Sequence, residues 1–187
     1  NPSLVGSEMC IRDSIDSSIK FAIDGGNGAL GSVIKSLSSA YDLNYEGIYM
    51  DVDGDFPNHP ADPSNPENLV ELVNLVLQNN YEFGVAFDGD ADRAVFSDNL
   101  GNIISGSIMT AIISDWLFEK RGDIKVVHNV NVPPTVVNYL SDKGVNMIRS
   151  KVGHSYIKQI MRDKDADFGG EHSAHFYLRE NFYADSG

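Results

Sequence analysis

Cysteine is nearly absent from this chain: Cys10 is the only one among 187 residues. One cysteine excludes a disulfide framework and a cysteine-based zinc site, and it favours a reducing compartment, the cytoplasm. Basic residues are also few, since 14 Lys and Arg stand against 27 Asp and Glu, for a net charge of −13. A nucleic-acid partner usually requires a basic face, so the balance argues against one.

Long apolar runs are missing as well. No stretch approaches the roughly 20 residues that a membrane-spanning helix needs, and no basic n-region precedes an apolar h-region at the start. The sequence therefore predicts neither a membrane partner nor a secretory signal.

Residues 1–14, NPSLVGSEMCIRDS, show no helical or strand period. The string LVGSEMCIRD looks like a translated sequencing adapter. We expect this segment to be a foreign or disordered leader, with a native linker as the alternative, and to carry no chemistry on either interpretation.

From Ile19 onwards, apolar strand patterns alternate with helical patterns, which is typical of an α/β fold. The predicted strands are 19–24, 45–50, 82–87, 94–97, 102–105, 124–128 and 145–149, and the predicted helices run through Val33, Ile34 and Leu37 and over 66–79, 107–119, 135–143 and 155–163. Asn65 is predicted to cap the second helix. Residues 120–123 read as a connection between two α/β units, and the second unit is too short to close a full domain.

Glycines at 26, 28 and 31 match the dinucleotide fingerprint G-x-G-x-x-G, and Asp51 lies at about the expected distance after them. A tight strand-to-helix turn also needs glycine, and we favour that interpretation. A dinucleotide-binding module stays open as a weaker alternative.

The heptapeptide FDGDADR, residues 87–93, puts three carboxylates on alternate positions at the end of a strand. In an extended segment Asp88, Asp90 and Asp92 project to one side, where they repel one another unless a cation is bound. Oxygen ligands suit Mg²⁺ or Ca²⁺. An EF-hand loop is excluded, because its sixth and twelfth positions would be Arg93 and Asn99 in place of Gly and Glu.

Two enzyme interpretations of this heptapeptide remain. An Mg²⁺-dependent phosphatase with an Asp nucleophile also uses a strand-end D-x-D, but Asp92 stands where that family usually has Thr or Val. In the second interpretation all three carboxylates are metal ligands and none is a nucleophile, and Arg93 donates to phosphate. The third carboxylate favours this interpretation. A metal-binding remnant without activity is the non-enzymatic alternative.

Five segments together resemble the α-D-phosphohexomutases, particularly the bacterial phosphomannomutase/phosphoglucomutase group. They occur in the family's order and are DGGNGALGS, DVDGDFPNHPADPSNPENL, DGDADR, SKVGHSYIK and FGGEHSAH. The resemblance covers about residues 19–187. It implies two consecutive phosphohexomutase-type α/β domains with mixed sheets: residues 15–121 as the family's second domain and 122–187 as most of its third.

The resemblance also implies an activity. These enzymes interconvert hexose 1-phosphate and hexose 6-phosphate, with glucose or mannose as the sugar, through a phosphoserine and a hexose 1,6-bisphosphate. Mg²⁺ would be held by Asp88, Asp90 and Asp92, and Arg93 would contact the transferring phosphoryl group.

Further site residues carry over from the resemblance. Glu171 and Ser173 would bind sugar hydroxyls, and His175 would lie near the reacting oxygens. Lys151 and His154 would contact substrate and take part in proton transfer. A helix start is the alternative role for Gly153-His154-Ser155.

The sequence departs from the family in two places. Residues 129–134, NVNVPP, lack the basic residue that the family often has there, which removes one expected substrate contact. No T-A-S-H-N-P-like serine segment occurs either, so we expect the chain to be a fragment that is inactive alone. Phosphoglucosamine mutase is a related alternative, although its loop more often has Gln-Ser-Gly where this chain has His172-Ser173-Ala174.

Overall fold

The computed structural model describes residues 16–186, and the predicted leader lies outside that range. The described residues form two compact units. One unit contains residues 16–62, 67–90 and 97–102, and the other contains 63–66, 91–96 and 103–186. None of the helices formed by these residues has the length and apolar character needed to cross a membrane.

The first sheet has five strands in the order β2-β1-β3-β4-β5. Its strands are β1 (Lys20–Asp24), β2 (Asn44–Ile48), β3 (Phe83–Phe87), β4 (Ala94–Asp98) and β5 (Ile103–Ile104). Strand β1 pairs in parallel with both β2 and β3. The rings of Phe21 and Phe83 stack at 4.7 Å across the β1–β3 pair. The predicted turn of the β4–β5 hairpin contains Gly101, whose φ of +82° suits glycine.

Two helices belong to the first unit, α1 (Leu30–Tyr41) and α2 (Val70–Asn79). The predicted apolar stripe of α2 is confirmed, because Leu69, Leu72 and Val76 are buried. The predicted helix start at Asn65 is confirmed in part: a 3₁₀ helix begins at Pro66, but the regular α-helix begins only at Val70, with Leu69 as its N-cap. The buried Asn68 side chain donates to the Asp62 carbonyl at 2.8 Å, which holds that 3₁₀ helix against the preceding loop.

The second sheet is mixed, with the order β10-β9-β8-β6-β7. Its strands are β6 (Lys125–Asn129), β7 (Asn146–Ser150), β8 (Phe168–Gly170), β9 (Phe176–Leu178) and β10 (Asp185–Ser186). Strand β6 is parallel to β7 and β8, and β9 is antiparallel to β8 and β10. The sequence predicted β6 and β7 to within one residue but not the three short strands that follow.

Three helices belong to the second unit: α3 (Gly106–Arg121), α4 (Pro134–Lys143) and α5 (His154–Lys164). Ile157 and Met161 of α5 pack with Val127 and Tyr177 in a fully buried cluster. Lys120 and Arg121 are the last turn of α3, and Gly122 caps it with φ +80°. Helix α3 groups with the second unit, whereas the sequence suggested a boundary after it, and that boundary stays a prediction.

Candidate functional site

The three predicted metal ligands lie on the loop that leaves β3. Asp88 is buried, with 4% of its surface exposed, Asp92 is half-buried and Asp90 is exposed. Each offers one carboxylate oxygen, and these oxygens lie within 4.8 Å of one another. Ala91 turns the loop with φ +62°. Three carboxylates form a hard, anionic donor set, which fits Mg²⁺ or Ca²⁺ and does not fit a soft metal.

The glycine-rich turn that follows β1 contacts this loop through backbone atoms. The Ala29 amide donates to the Gly89 carbonyl at 2.9 Å. A Cβ added to Gly28 would lie 2.6 Å from the Gly89 oxygen, so only glycine fits there. Close backbone approach therefore accounts for Gly28, and the tight-turn interpretation is sufficient for this segment.

A buried carboxylate anchors the loop 51–62, which sequence reasoning did not assign a role. Asp24 accepts from the Gly26 amide at 2.8 Å, and its other oxygen lies 3.0 Å from His59 Nε2. His59 Nδ1 lies 2.9 Å from the Pro60 carbonyl, so the ring links the end of β1 to this loop. Burial raises the pKa of Asp24. The sequence signal was only a lone histidine in a Pro- and Asp-rich loop.

In the second unit, the residues after Asp92 run beside the GGEHSAH loop. Arg93 and His175 form an antiparallel β-bridge, and the Ala94 amide donates to the Ala174 carbonyl at 3.2 Å. His175 Nε2 lies 3.4 Å from an Asp92 carboxylate oxygen. The structure thus brings together one predicted metal ligand, the predicted phosphate contact and one predicted sugar-loop histidine.

Glu171 is the most buried of the predicted substrate residues, with 3% of its surface exposed. One carboxylate oxygen accepts from the Asn129 amide at 2.8 Å, and the other accepts from the Tyr177 hydroxyl at 2.8 Å. Burial raises the pKa of Tyr177, and the hydrogen bond to Glu171 raises it further. Tyr177 therefore stays protonated and acts as a permanent donor. Asn129 and Tyr177 were not predicted as site residues.

The loop itself is a tight turn. Glu171 and His175 pair through a backbone hydrogen bond of 3.1 Å, and Ala174 has φ +67°. The Ser173 hydroxyl lies 3.0 Å from His175 Nδ1. Because Nε2 of that ring faces Asp92, both ring nitrogens have polar neighbours that hold the imidazole in one orientation.

Helix α3 begins directly against this turn. A Cβ on Gly106 would lie 2.5 Å from both the Ala174 nitrogen and the Glu171 oxygen, so glycine is required. The Ser107 hydroxyl lies 2.9 Å from Nδ1 of the exposed His172, so this contact joins the turn to the start of α3. Ser105 caps α3, and its hydroxyl accepts from the Ile108 amide.

Lys151 and His154 lie at the start of α5, and both are exposed. The helix begins at His154, which confirms the helix-start alternative, and Gly153 precedes it with φ +124°. The Lys151 ammonium lies 5.8 Å from the Tyr156 ring centre. Among residues 16–186, no hydrogen bond or ion pair joins Lys151 or His154 to the Glu171 loop.

Two family models match all of the described residues except 102–104. Residues 6–101 match the model of phosphoglucomutase/phosphomannomutase alpha/beta/alpha domain II, and residues 105–187 match that of domain III. A phosphomannomutase of Methanocaldococcus jannaschii is 36% identical over 167 residues, covering 89% of this chain and 37% of the relative. A phosphomannomutase of Escherichia coli is 33% identical over 174 residues, covering 90% and 38%.

Solved structures show the same likeness. A phosphoglucomutase/phosphomannomutase family protein from Burkholderia thailandensis superposes with TM-score 0.87 and 28% identity, covering 97% of this chain and 40% of that one. Aspergillus fumigatus N-acetylphosphoglucosamine mutase, described in complex with GlcNAc-6P and magnesium, shares the fold at 15% identity and TM-score 0.68, covering 94% and 39%. The chain thus spans well under half the length of these relatives.

Proposed function

The chain belongs to the phosphoglucomutase/phosphomannomutase family, and on that premise we propose that it is a segment of an enzyme that interconverts hexose 1-phosphate and hexose 6-phosphate. The observation that carries this proposal is the 3.4 Å contact between the Asp92 carboxylate and the His175 ring. Arg93 and the same histidine are joined by a backbone β-bridge. Within the second unit, the Asp92–His175 contact brings the carboxylate of one proposed metal ligand next to the turn proposed to bind the sugar. A phosphoryl-transfer site needs this combination of metal ligand, cation and polyol-binding groups.

Asp88, Asp90 and Asp92 would hold Mg²⁺, whose charge would offset the negative charge of the phosphoryl group during transfer. The fungal fold neighbour with bound magnesium is in keeping with this choice of metal. Arg93 adds a fixed guanidinium beside the same loop, and its fork of donors matches phosphate oxygens. This chain's own part is therefore to position the phosphoryl group and to balance its charge.

Glu171 would bind the sugar. Each of its oxygens already accepts one hydrogen bond from the protein. A carboxylate has about four acceptor positions, so each oxygen retains capacity for a sugar hydroxyl. Ser173 is exposed on the same turn and can donate to or accept from a further hydroxyl. A hexose with adjacent hydroxyls fits this pattern, and both glucose and mannose have them.

His175 is our candidate for the proton transfers at the sugar oxygen. Asp92 and Ser173 hold its ring by contacts at 3.4 and 3.0 Å, which orients one nitrogen toward each neighbour. Lys151 and His154 remain proposed substrate contacts at the start of α5. The phosphoserine and the bisphosphate intermediate belong to the longer enzyme, so we expect no turnover from this chain alone.

Metal binding to the isolated chain tests the core of the proposal. Mn²⁺, a spectroscopic substitute for Mg²⁺, is titrated into the chain, bound ion is measured by electron paramagnetic resonance, and Mg²⁺ is then used as competitor. Asp90→Asn should weaken binding about tenfold or more, because it removes one of three anionic ligands. Asp53→Asn, on the exposed loop 51–62, is the matched control and should change nothing.

Four outcomes would contradict parts of the proposal. Equal effects of Asp90→Asn and Asp53→Asn would remove the metal site. A phosphoaspartate trapped at Asp88 with acetyl phosphate would favour the Asp-nucleophile phosphatase. Glucosamine phosphate bound in preference to glucose or mannose phosphate would favour phosphoglucosamine mutase, and turnover of glucose 1-phosphate in a coupled assay would disprove the expected inactivity.

A further inference from the structure

A cavity of about 320 Å³ opens in the second unit beside β6, β7 and α4. Its walls are mostly apolar, and three of the side chains that line it are polar. The apolar residues are Val130, Val132, Pro134, Val137 and Met147, and the polar residues are His128, Asn138 and Arg149. Ligand cavities in proteins run from about 300 to 1,000 Å³, so this one suits a small molecule. None of the residues assigned to the phosphohexomutase site lines it.

His128 presents a hydrogen-bond acceptor in this cavity. Its Nδ1 lies 3.0 Å from the Asn129 carbonyl, which can only accept, so Nδ1 carries the proton. Nε2 then has a free lone pair, and within residues 16–186 no group donates to it. The side chain is 5% exposed, and this burial, with Arg149 nearby, lowers the pKa of His128. The ring is therefore neutral at neutral pH and lines the cavity as an acceptor.

Arg149 presents a cation at the same place. The parallel pairing of β6 with β7 puts it directly across from His128, and both side chains line the cavity. Arg149 is exposed and has no ion-pair partner among residues 16–186. A guanidinium with five donors in a fixed fork matches a carboxylate with two parallel hydrogen bonds.

We propose that this cavity binds a small 2-hydroxy carboxylic acid with a branched apolar body. The carboxylate pairs with Arg149, the adjacent hydroxyl donates to His128 Nε2, and the apolar body packs on Val132 and Val137. Inorganic phosphate would satisfy Arg149 but would leave the apolar walls in contact with water. None of the residues proposed to bind the metal or the sugar lines this cavity, although Val130, Val132 and Pro134 belong to segment 129–134, where the family often has a substrate contact.

Binding of 2-hydroxy-3-methylbutanoate to the ¹⁵N-labelled chain tests the proposal. We expect a saturable shift of the His128 Nε2 resonance in the direction of an accepted hydrogen bond. Removing the hydroxyl, with 3-methylbutanoate as the probe, should weaken binding about three- to tenfold, the usual effect of one neutral hydrogen bond. Inorganic phosphate should bind more weakly than either acid.

Substitutions of two exposed arginines test whether Arg149 is the cation that binds the carboxylate. Arg149→Gln should weaken binding about tenfold or more, because the loss of a charged hydrogen-bonding group has that effect. Arg149→Lys should recover only part of it, since the charge returns without the fork. Arg162→Gln on α5 is the matched control. The proposal is overturned if no saturable shift occurs, if phosphate binds as tightly as the hydroxy acid, or if Arg162→Gln weakens binding equally.

Discussion

Tyr177 donates its hydroxyl to the Glu171 carboxylate at 2.8 Å, and both side chains are buried. Within residues 16–186, the buried Glu171 carboxylate has no Arg or Lys at hydrogen-bonding distance. Hydrogen bonds from neutral donors therefore stabilise its negative charge. A buried acceptor that loses its donor costs free energy, because water cannot replace the bond. The Glu171 orientation that we propose for sugar binding therefore depends on a tyrosine six residues further along the chain.

Tyr177→Phe should lower the free energy of unfolding by about 1–3 kcal/mol, the cost of leaving a buried polar group unsatisfied. Chemical denaturation followed by circular dichroism measures it. Tyr139→Phe is the matched control, because that hydroxyl meets Asp115 on the exposed surface. It should change stability by no more than about 0.5 kcal/mol. Similar losses in both variants would show that the Glu171 bond contributes nothing particular.

Gly28→Ala should damage the metal loop, because the new Cβ would lie 2.6 Å from the Gly89 carbonyl. We expect a loss of roughly 2 kcal/mol or more, since backbone cannot move away as a side chain can. Mn²⁺ affinity should fall in parallel with the melting temperature. Gly54→Ala is the control, since nothing lies within 4 Å of its added Cβ. Unchanged metal affinity in Gly28→Ala would separate the glycine turn from the metal site.

His128 should make the second unit less stable in mild acid. Burial, aided by the nearby Arg149, lowers the pKa of His128 in the folded state below its value of about 6.5 in the unfolded chain. The unfolded state therefore takes up the proton first as pH falls below about 6.5, and that uptake favours unfolding. Denaturation at pH 7.5, 6.5 and 5.5 should show a steeper loss for the wild type than for His128→Gln. Parallel curves would contradict this.

Asp167 should stabilise the second sheet at the start of β8, next to the first residue of β6. One carboxylate oxygen accepts from Arg121 at 3.2 Å and from Arg179 at 2.8 Å, and the other accepts from the Lys125 amide at 2.9 Å. Asp167→Asn should cost about 1–3 kcal/mol, a value below that of a fully buried pair because both arginines are partly exposed.

Asp165→Asn provides the control for that prediction. Asp165 is exposed and lies 3.4 Å from Arg179, and exposed ion pairs contribute about 0–1 kcal/mol. Guanidinium denaturation of both variants measures the difference, which should disappear if Asp167 behaves as a surface carboxylate.

Local periodicity was sufficient for most of the fold. The i, i+3, i+4, i+7 stripe of α2 and the apolar runs of β3 and β6 are one-dimensional signals, and the structure has these elements within one or two residues of their predicted bounds, apart from the helix start at Asn65. Strands β8, β9 and β10 are two or three residues long, too short to show an alternation of their own. They form because β6 offers an edge to β8, and β8 then offers one to β9.

The sequence by itself determined the residue types of the candidate site. Three aspartates on alternate positions predict a metal loop, and the motifs around them identify the phosphohexomutase family without any coordinates. Only the tertiary structure decided which groups support those residues. Asn129 reaches Glu171 from 42 positions away, and Asp92 meets His175 because two distant segments pair as backbone. Such contacts leave no local pattern, since they depend on which strands lie side by side after folding.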